Sequence, residues 1–309
     1  MNQQAVVFAY HGFGVEGLEA LARAGVAIGR VFSHRDSTTE RIWWRSVAGW
    51  CAGRGIACEF DVDARDPAVQ ARIAALEPQW IFSFYYRQMI PEAVLALAPG
   101  GAWNLHGSLL PKFRGRSPIN WQLVHGAERS GLTVHRMVRK ADAGEILGQQ
   151  AVNVHPDQDA IGLTRQLLAC APAFLDRVLG ELLTGRAQAV AQNHAQASYF
   201  GGRTPADGLI DWRKPAREIH NLVRAVAPPW PGAFTFIANE QAERKLLVWR
   251  TSVVGERSRY GDAGTVLGDG SVACGVGSLI LLALAWAEDE APVALAPGSR
   301  LMLSRPLSS

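Results

Sequence analysis

Cysteine is scarce: Cys51, Cys58, Cys170 and Cys274 are the only four in 309 residues, and no two form a Cys-x-x-Cys pair. That spacing offers neither a disulfide framework nor a structural zinc site, so a reduced, cytoplasmic protein is expected, with no metal. Long hydrophobic runs are missing as well. The longest, SLILLALAWA at 278–287, is half the ~20 residues a membrane helix needs, so no membrane insertion is expected. No basic segment precedes the first apolar run, which enters a strand almost at once, so no secretory leader is expected. Excess charge of one sign is also lacking. Lys and Arg number 31 against 28 Asp and Glu, a net +3 that is too mild to argue for nucleic acid by itself. There is no internal repeat and no low-complexity tract.

What is present is an alternation. AVVFAY (5–10), VAIGRVFS (26–33), WIFSFYY (80–86) and GAWNLHG (101–107) are short apolar runs that predict buried strands. Between them lie VEGLEALARAG (15–25), TTERIWWRSVAGWCAGRG (38–55) and PEAVLALAP (91–99), which predict helices. This rhythm predicts an α/β fold, a Rossmann-like, doubly wound and mostly parallel sheet. A long helical stretch at 162–185 carries Pro172, which is expected to kink or break it. From about residue 205 the texture turns to short strands and Gly-rich turns, as in 245–254, 263–268, 271–276 and 278–284. The expected organisation is a catalytic domain over 1–200 and a smaller β-barrel-like, OB-type domain over 205–309.

Two motifs compete for the sheet. Gly12, Gly14 and Gly17 spell G-x-G-x-x-G between the first strand and helix, and Asp36 follows the second strand where a ribose-binding acid would stand. That pattern fits a dinucleotide site. It equally fits a tight strand–helix turn built from small residues. The second motif ends the strand at 101–107: Asn104 and His106 are two apart, hence on one face, and the loop behind them carries Lys112, Arg114 and Arg116. Further on, Asp142 sits in the loop RKADAG. An amide, an imidazole and a carboxylate make an oxyanion donor, a general acid/base and its orienter, with no Ser or Cys nucleophile among them. Direct acyl transfer to an external nucleophile suits that set. Read from the residues alone, a satisfied structural trio also fits.

The stretch NLHGSLLPKFRGRSPINW, followed by DAGEIL, resembles the folate-dependent formyltransferase family. Its shared pattern is Asn-x-His, then S-L-L-P-x-Y/F-R-G-x-x-P, then an Asp-x-Gly loop, and the resemblance runs over nearly the whole chain. It implies 10-formyltetrahydrofolate as cosubstrate and Asn104, His106 and Asp142 as catalytic residues. His106 is then expected in its charged form, favoured by Asp142. The resemblance also implies that folate lies along Gln88, Met89 and Ile90 and along Val138, Arg139, Lys140, Ala141 and Asp142, with Arg116 at a ligand contact. The glycines of the first turn then fit the packing role. Within the family, VVFAYHG, FSFYYRQMIP and the tract from Tyr199 to Phe234 resemble the formyltransferase half of bifunctional polymyxin-resistance enzymes. Those act on UDP-4-amino-4-deoxy-L-arabinose, a lipid A precursor. This implies a nucleotide-sugar partner, with Tyr10, His11 and Trp230 as sugar-nucleotide contacts, and association with a decarboxylase as a domain or separate chain. An excised domain and a stand-alone enzyme fit equally, and the latter admits another nucleotide-linked amino sugar.

Methionyl-tRNA formyltransferase is the alternative within the family. Against it, residues 206–309 hold 11 Lys and Arg and 11 Asp and Glu, so the electrostatic footprint of a tRNA binder is missing. The segment HRDSTTERIWWRSV also lacks the basic Gly-rich insertion by which tRNA formyltransferases resemble one another. Trp43 and Trp44 are read as helical core or pocket wall rather than base-stacking platforms, and His135 as a structural histidine. A silent folate or nucleotide-sugar sensor is the non-enzyme alternative.

Overall fold

A strand buried on both faces must be apolar throughout, and the first such run sets the centre of the sheet. The structure, a computed structural model, describes residues 4–38, 41–238, 243–258 and 260–302. In chain order its elements are β1 (Gln4–Ala9), α1 (His11–Arg23), β2 (Ala27–Ser33), α2 (Val47–Ala52), β3 (Cys58–Phe60), α3 (Pro67–Ala74), β4 (Trp80–Phe84) and α4 (Glu92–Leu95). Then come β5 (Ala102–His106), β6 (Arg114–Gly115), α5 (Pro118–Val124), β7 (Arg129–Arg136), β8 (Ile146–Asn153), α6 (Ala160–Leu183) and β9 (Tyr199–Phe200). The rest are α7 (Ala216–Ala225), β10 (Ala233–Ala238), β11 (Glu243–Gly255), β12 (Val272–Ala273), β13 (Ser278–Trp286) and β14 (Leu301–Met302). The described parts of Met1–Pro118, Arg129–Val152 and Arg165–Phe200 form one compact unit, and those of Ile119–Glu128, Asn153–Thr164 and Gly201–Ser309 form another.

In the first unit, seven strands order as β3-β2-β1-β4-β5-β7-β8. The strands from β3 to β5 pair in parallel, whereas β7 runs antiparallel to β5. This is the Rossmann-like, doubly wound sheet expected. The chain travels outward from β1 to β3 and then returns to the other side of β1 as β4, so the carboxyl ends of β1 and β4 form the switch-point crevice where such sheets bind ligands. Ala5 to Ala9 are wholly buried.

Helix α1 begins earlier than its periodicity suggested, so Gly12, Gly14 and Gly17 all lie inside it. They are packing glycines. A Cβ at Gly17 would overlap the Phe84 ring, and one at Gly14 would stand 2.9 Å from Val47. The helix expected over 38–55 reduces to α2, capped by Ser46 Oγ accepting from Gly49 N–H at 3.2 Å. Residues 39 and 40 of that stretch lie outside the described residues. Trp43 and Trp44 precede the helix and pack on His11, with ring centroids at 5.3 and 4.3 Å. Pro172 does not break α6, which runs unbroken through it. The buried face of Leu167, Ala171, Phe174, Leu175 and Val178 outweighs the roughly 3 kcal/mol that an internal proline costs.

In the second unit, β12-β13-β11-β10-β14 make an antiparallel sheet curled into a half-barrel. Trp212 Nε1 donates to Thr235 Oγ1 at 2.9 Å, and that hydroxyl donates to the Met302 carbonyl at 2.9 Å, tying β10 to β14. Helix α7 docks on β11 through His220 Nδ1 and Thr251 Oγ1, 2.9 Å apart.

Candidate active site

Strand β5 carries Asn104 and His106 to the carboxyl edge of the sheet, and its antiparallel neighbour supplies what faces them. The β5–β7 register pairs Asn104 with His135 and His106 with Thr133. Directly opposed residues in such a pair have adjoining side chains. Asn104 Nδ2 lies 3.1 Å from His135 Nε2. His135 Nδ1 is 2.9 Å from the Arg136 carbonyl, which can only accept, so Nδ1 carries the proton and Nε2 takes the Asn104 amide. One N–H of that amide remains for another acceptor.

Asp142 comes from the β7–β8 loop in a left-handed backbone conformation, φ 52°. Its Oδ1 stands 3.3 Å from His135 Nε2, and its Oδ2 stands 3.6 Å from His106 Nδ1. Oδ2 also accepts the Gly115 N–H at 2.7 Å. Burial alone would push the Asp142 carboxyl up. His106, His135 and the Gly115 N–H outweigh it and hold the group well below the usual carboxylate range. His106 is buried, and its Nε2 donates to the Phe113 carbonyl at 2.8 Å. Burial pulls its pKa below the ordinary imidazole value, more than Asp142 raises it. His106 is therefore neutral at pH 7, where the charged form was expected. The cluster is a proton acceptor at rest, and a proton added to it has a seat between Asp142 Oδ2 and His106 Nδ1.

Gln192 and Arg114 fix the Asp142 loop from behind. Gln192 Nε2 donates to the Asp142 carbonyl at 2.9 Å and to the Gly144 carbonyl at 2.6 Å. Its Oε1 accepts from Arg114 Nε at 3.1 Å. Arg114 is fully buried, with Tyr199 Oη and His194 Nδ1 as further partners. Ser108, the nearby hydroxyl, donates to the Lys112 carbonyl at 2.7 Å, so it is a loop staple rather than a nucleophile. Sequence reasoning missed Gln192 and set His135 aside. The clue to His135 was the alternation Thr133-x-His135 on β7, matching Asn104-x-His106 across the pair; Gln192 left no local signal.

The remaining predicted residues fall in three places. Gln88 and Met89 are exposed in the segment after β4, Met89 at 61%, whereas the Ile90 side chain belongs to the core and presents only backbone. Arg116, Val138, Arg139 and Lys140 are exposed and Ala141 half-buried beside Asp142; Lys140 Nζ sits 4.9 Å from the Tyr199 ring centroid. Tyr10 and His11 are buried at the switch point, and Trp230 is half-buried in the second unit. Among the described residues no group of three or more His, Cys, Asp and Glu side chains is placed to hold a metal ion, and no helix is long and apolar enough to cross a membrane.

His11 carries a measurable consequence. Its ring is enclosed by Phe13, Trp43, Trp44 and Tyr85, and burial, helped by Arg87, lowers its pKa to about 3. The unfolded chain binds a proton at ~6.5, so between these values it holds more protons than the folded chain, and stability falls as pH falls. The lowered pKa values of His106 and Asp142 act in the same direction. We expect the thermal midpoint to drop steadily from pH 6.5 toward pH 3, with a shallower slope in His11→Phe. Equal slopes in scanning calorimetry would refute the assignment to His11.

Residues 29–179 match the formyl transferase family, and residues 203–294 match the formyl transferase C-terminal domain. Solved structures share the fold. The sugar 3N-formyl transferase WlaRD, determined in the presence of dTDP and 5-N-formyl-THF, is 16% identical with a TM-score of 0.67, over 96% of this chain and 100% of that one. An N-formyltransferase from Helicobacter canadensis, in complex with folinic acid and dTDP-3-aminofucose, is 16% identical with a TM-score of 0.64, over 90% and 98%. HypX from Aquifex aeolicus, in complex with tetrahydrofolic acid, is 15% identical with a TM-score of 0.57, over 95% of this chain and 45% of that one.

Proposed function

Since the chain belongs to the formyl transferase family and is a formyltransferase, we propose that it moves the formyl group of 10-formyltetrahydrofolate to the amine of a nucleotide-linked amino sugar. The observation that carries this reading is the convergence of Asn104, His135, Asp142 and His106 at the carboxyl edge of β5, with no nucleophilic Ser or Cys among them. The amide donor and the proton-accepting pair are what transfer to an external amine needs. The folate and dTDP-sugar named for structures of the same fold support the substrate classes.

The amine attacks the formyl carbon, and the carbonyl oxygen becomes an oxyanion that accepts the unspent N–H of Asn104. One such donor contributes ~2.7–4 kcal/mol. The surplus amine proton passes to the Asp142–imidazole cluster. The bond from carbon to the folate nitrogen then breaks, that nitrogen regains the proton, and the products are tetrahydrofolate and the N-formyl sugar. His106, anchored on the Phe113 carbonyl, keeps its Nδ1 toward Asp142 throughout.

UDP-4-amino-4-deoxy-L-arabinose is the acceptor we propose first. The tract that carries the finer resemblance opens with Tyr199–Phe200, and β9 pairs with β6 so that Tyr199 reaches Arg114. The tract thus contributes to the wall behind the Asp142 loop. The purified chain, given 10-formyltetrahydrofolate and this sugar nucleotide, is expected to yield a sugar heavier by one formyl group in mass spectrometry. Methionyl-tRNA in a parallel reaction is expected to stay unformylated. Formylated tRNA, or no transfer to any nucleotide-linked amino sugar, would overturn the proposal.

A further inference from the structure

The dinucleotide-like motif leaves a remainder. Its glycines are explained by helix packing, but Asp36 is not, and it lines a cleft of about 330 Å³ at the carboxyl ends of β1 and β2. The cleft walls are aromatic: Tyr10, His34, Trp44 and Phe60. Tyr10 meets His34 and Trp44 edge-on, with centroids at 5.5 and 5.9 Å, and its hydroxyl donates to Asp36 Oδ1 at 3.0 Å. Two nitrogens of the lining, His11 Nδ1 and Trp44 Nε1, are buried without a hydrogen-bond partner. Both residues line the cleft, and an unpaired polar atom beside a cleft gains a hydrogen bond where a bound ligand brings a partner to it.

Resting on the formyl-transfer reading above, we propose that this cleft is the nucleoside half-site of the acceptor, with Asp36 accepting hydrogen bonds from ribose hydroxyls. The chemistry of the lining selects that class. Both lining imidazoles are held neutral at pH 7: burial, then Arg87, lowers His34 below its ordinary value, and His11 to about 3. They present neutral aromatic rings to an uncharged base rather than charge to an anion, His34 being held in place by the Arg87 N–H on its Nε2 at 3.1 Å. Cations stand at the rim. Arg35 lines the cleft, and the Arg87 guanidinium lies 4.6 Å from the Tyr10 ring centroid, next to the N-terminus of α1. A diphosphate there would meet both and the helix dipole. The span also fits: β2 and β5 are separated by β1 and β4, three strand steps or roughly 14 Å. That is comparable to an extended nucleoside diphosphate sugar with its amine at Asn104. In doubly wound sheets the acid after the second strand is where a ribose is held.

A site that accepts from a hydroxyl discriminates against the analogue lacking it. Titration calorimetry on the full chain would therefore compare UDP with 2′-deoxy-UDP. The expected result is binding of UDP at least about tenfold tighter than its deoxy analogue, with that ratio collapsing in Asp36→Asn. Ala48→Trp, which fills the cleft without touching its polar groups, is expected to weaken both ligands at least about tenfold. Asp36 is exposed at the cleft rim, so Asp36→Asn, checked by its thermal midpoint, serves even where Ala48→Trp folds poorly. Equal affinity for the two ligands, undiminished UDP binding in both variants, or tighter binding of NADH than of UDP would overturn the half-site. Formyl transfer is scored separately. Turnover of the sugar nucleotide that is indifferent to Asp36→Asn and Ala48→Trp sinks the half-site and leaves the activity standing. UDP held as expected with no amino sugar formylated sinks the activity and leaves a nucleotide site.

Discussion

Asp142→Asn is expected to lower kcat about a thousandfold while changing folate and UDP binding by no more than about threefold. Asparagine keeps an oxygen for the Gly115 N–H, which lies 2.7 Å from Oδ2, and nearly the same volume. It cannot hold the proton that the attacking amine must lose. The imidazoles substitute poorly for it: each has one ring nitrogen committed to a backbone carbonyl, His106 to Phe113 and His135 to Arg136, and a proton taken up by His106 loses the Asp142 charge that favours it. The remaining nitrogens of both lie within 3.6 Å of Asp142, so the three groups work as one unit. Non-additivity follows. His106→Ala combined with Asp142→Asn is expected to be little worse than either alone, as for residues that act as a unit. Single-turnover kinetics with prebound folate would check this. A kcat loss under tenfold in Asp142→Asn would reduce the carboxylate to a scaffold, and multiplicative losses in the double variant would mean independent roles.

The same cluster marks the boundary of what the sequence could express. Asn104 and His106 were legible because a two-residue spacing on a strand fixes a common face, whatever the tertiary context. Asp142 was legible as a polar residue in a Gly-containing loop after a strand. His135 was not, since its role depends on β7 pairing antiparallel with β5 in the register that sets it against Asn104. Gln192 lies 78 residues from Arg114, and only the folded chain brings them together. The misreadings have a similar origin. Trp43 and Trp44 belong to a stretch whose apolar residues are near helical spacing, yet they pack as a loop on His11. Local pattern records that a side chain is buried, and the tertiary neighbour decides on what backbone. Pro172 is the converse: the local rule forbids it in a helix, and the buried face of α6 overrides the rule.

Gly115→Ala is expected to remove at least about a hundredfold of activity and to lower the thermal midpoint by roughly 5–10 °C. Gly115 holds φ 97°, and a Cβ there would overlap the Phe200 carbonyl oxygen. Strain in the left-handed region costs about 1–2 kcal/mol, and displacing backbone that cannot yield adds about 1–3 kcal/mol. What must yield is the β6–β9 pairing. There Arg114 N–H donates to the Ser198 carbonyl at 2.9 Å, and Arg116 N–H donates to the Phe200 carbonyl at 3.0 Å. Pushing β6 away from β9 shifts the one N–H that Asp142 Oδ2 accepts and moves Arg114 off Gln192, so the carboxylate loses its backbone donor and its loop clamp together. Gly185→Ala is the control, because Gly185 has φ 70° with nothing within 4 Å of the added carbon. It carries the backbone strain without the collision, and its activity is expected to stay within about threefold of the parent. Comparing the two by differential scanning fluorimetry and initial rates isolates the contact from the strain. If Gly115→Ala matches Gly185→Ala in both, the β6–β9 pairing does not position Asp142, and the left-handed backbone at Asp142 itself must do so.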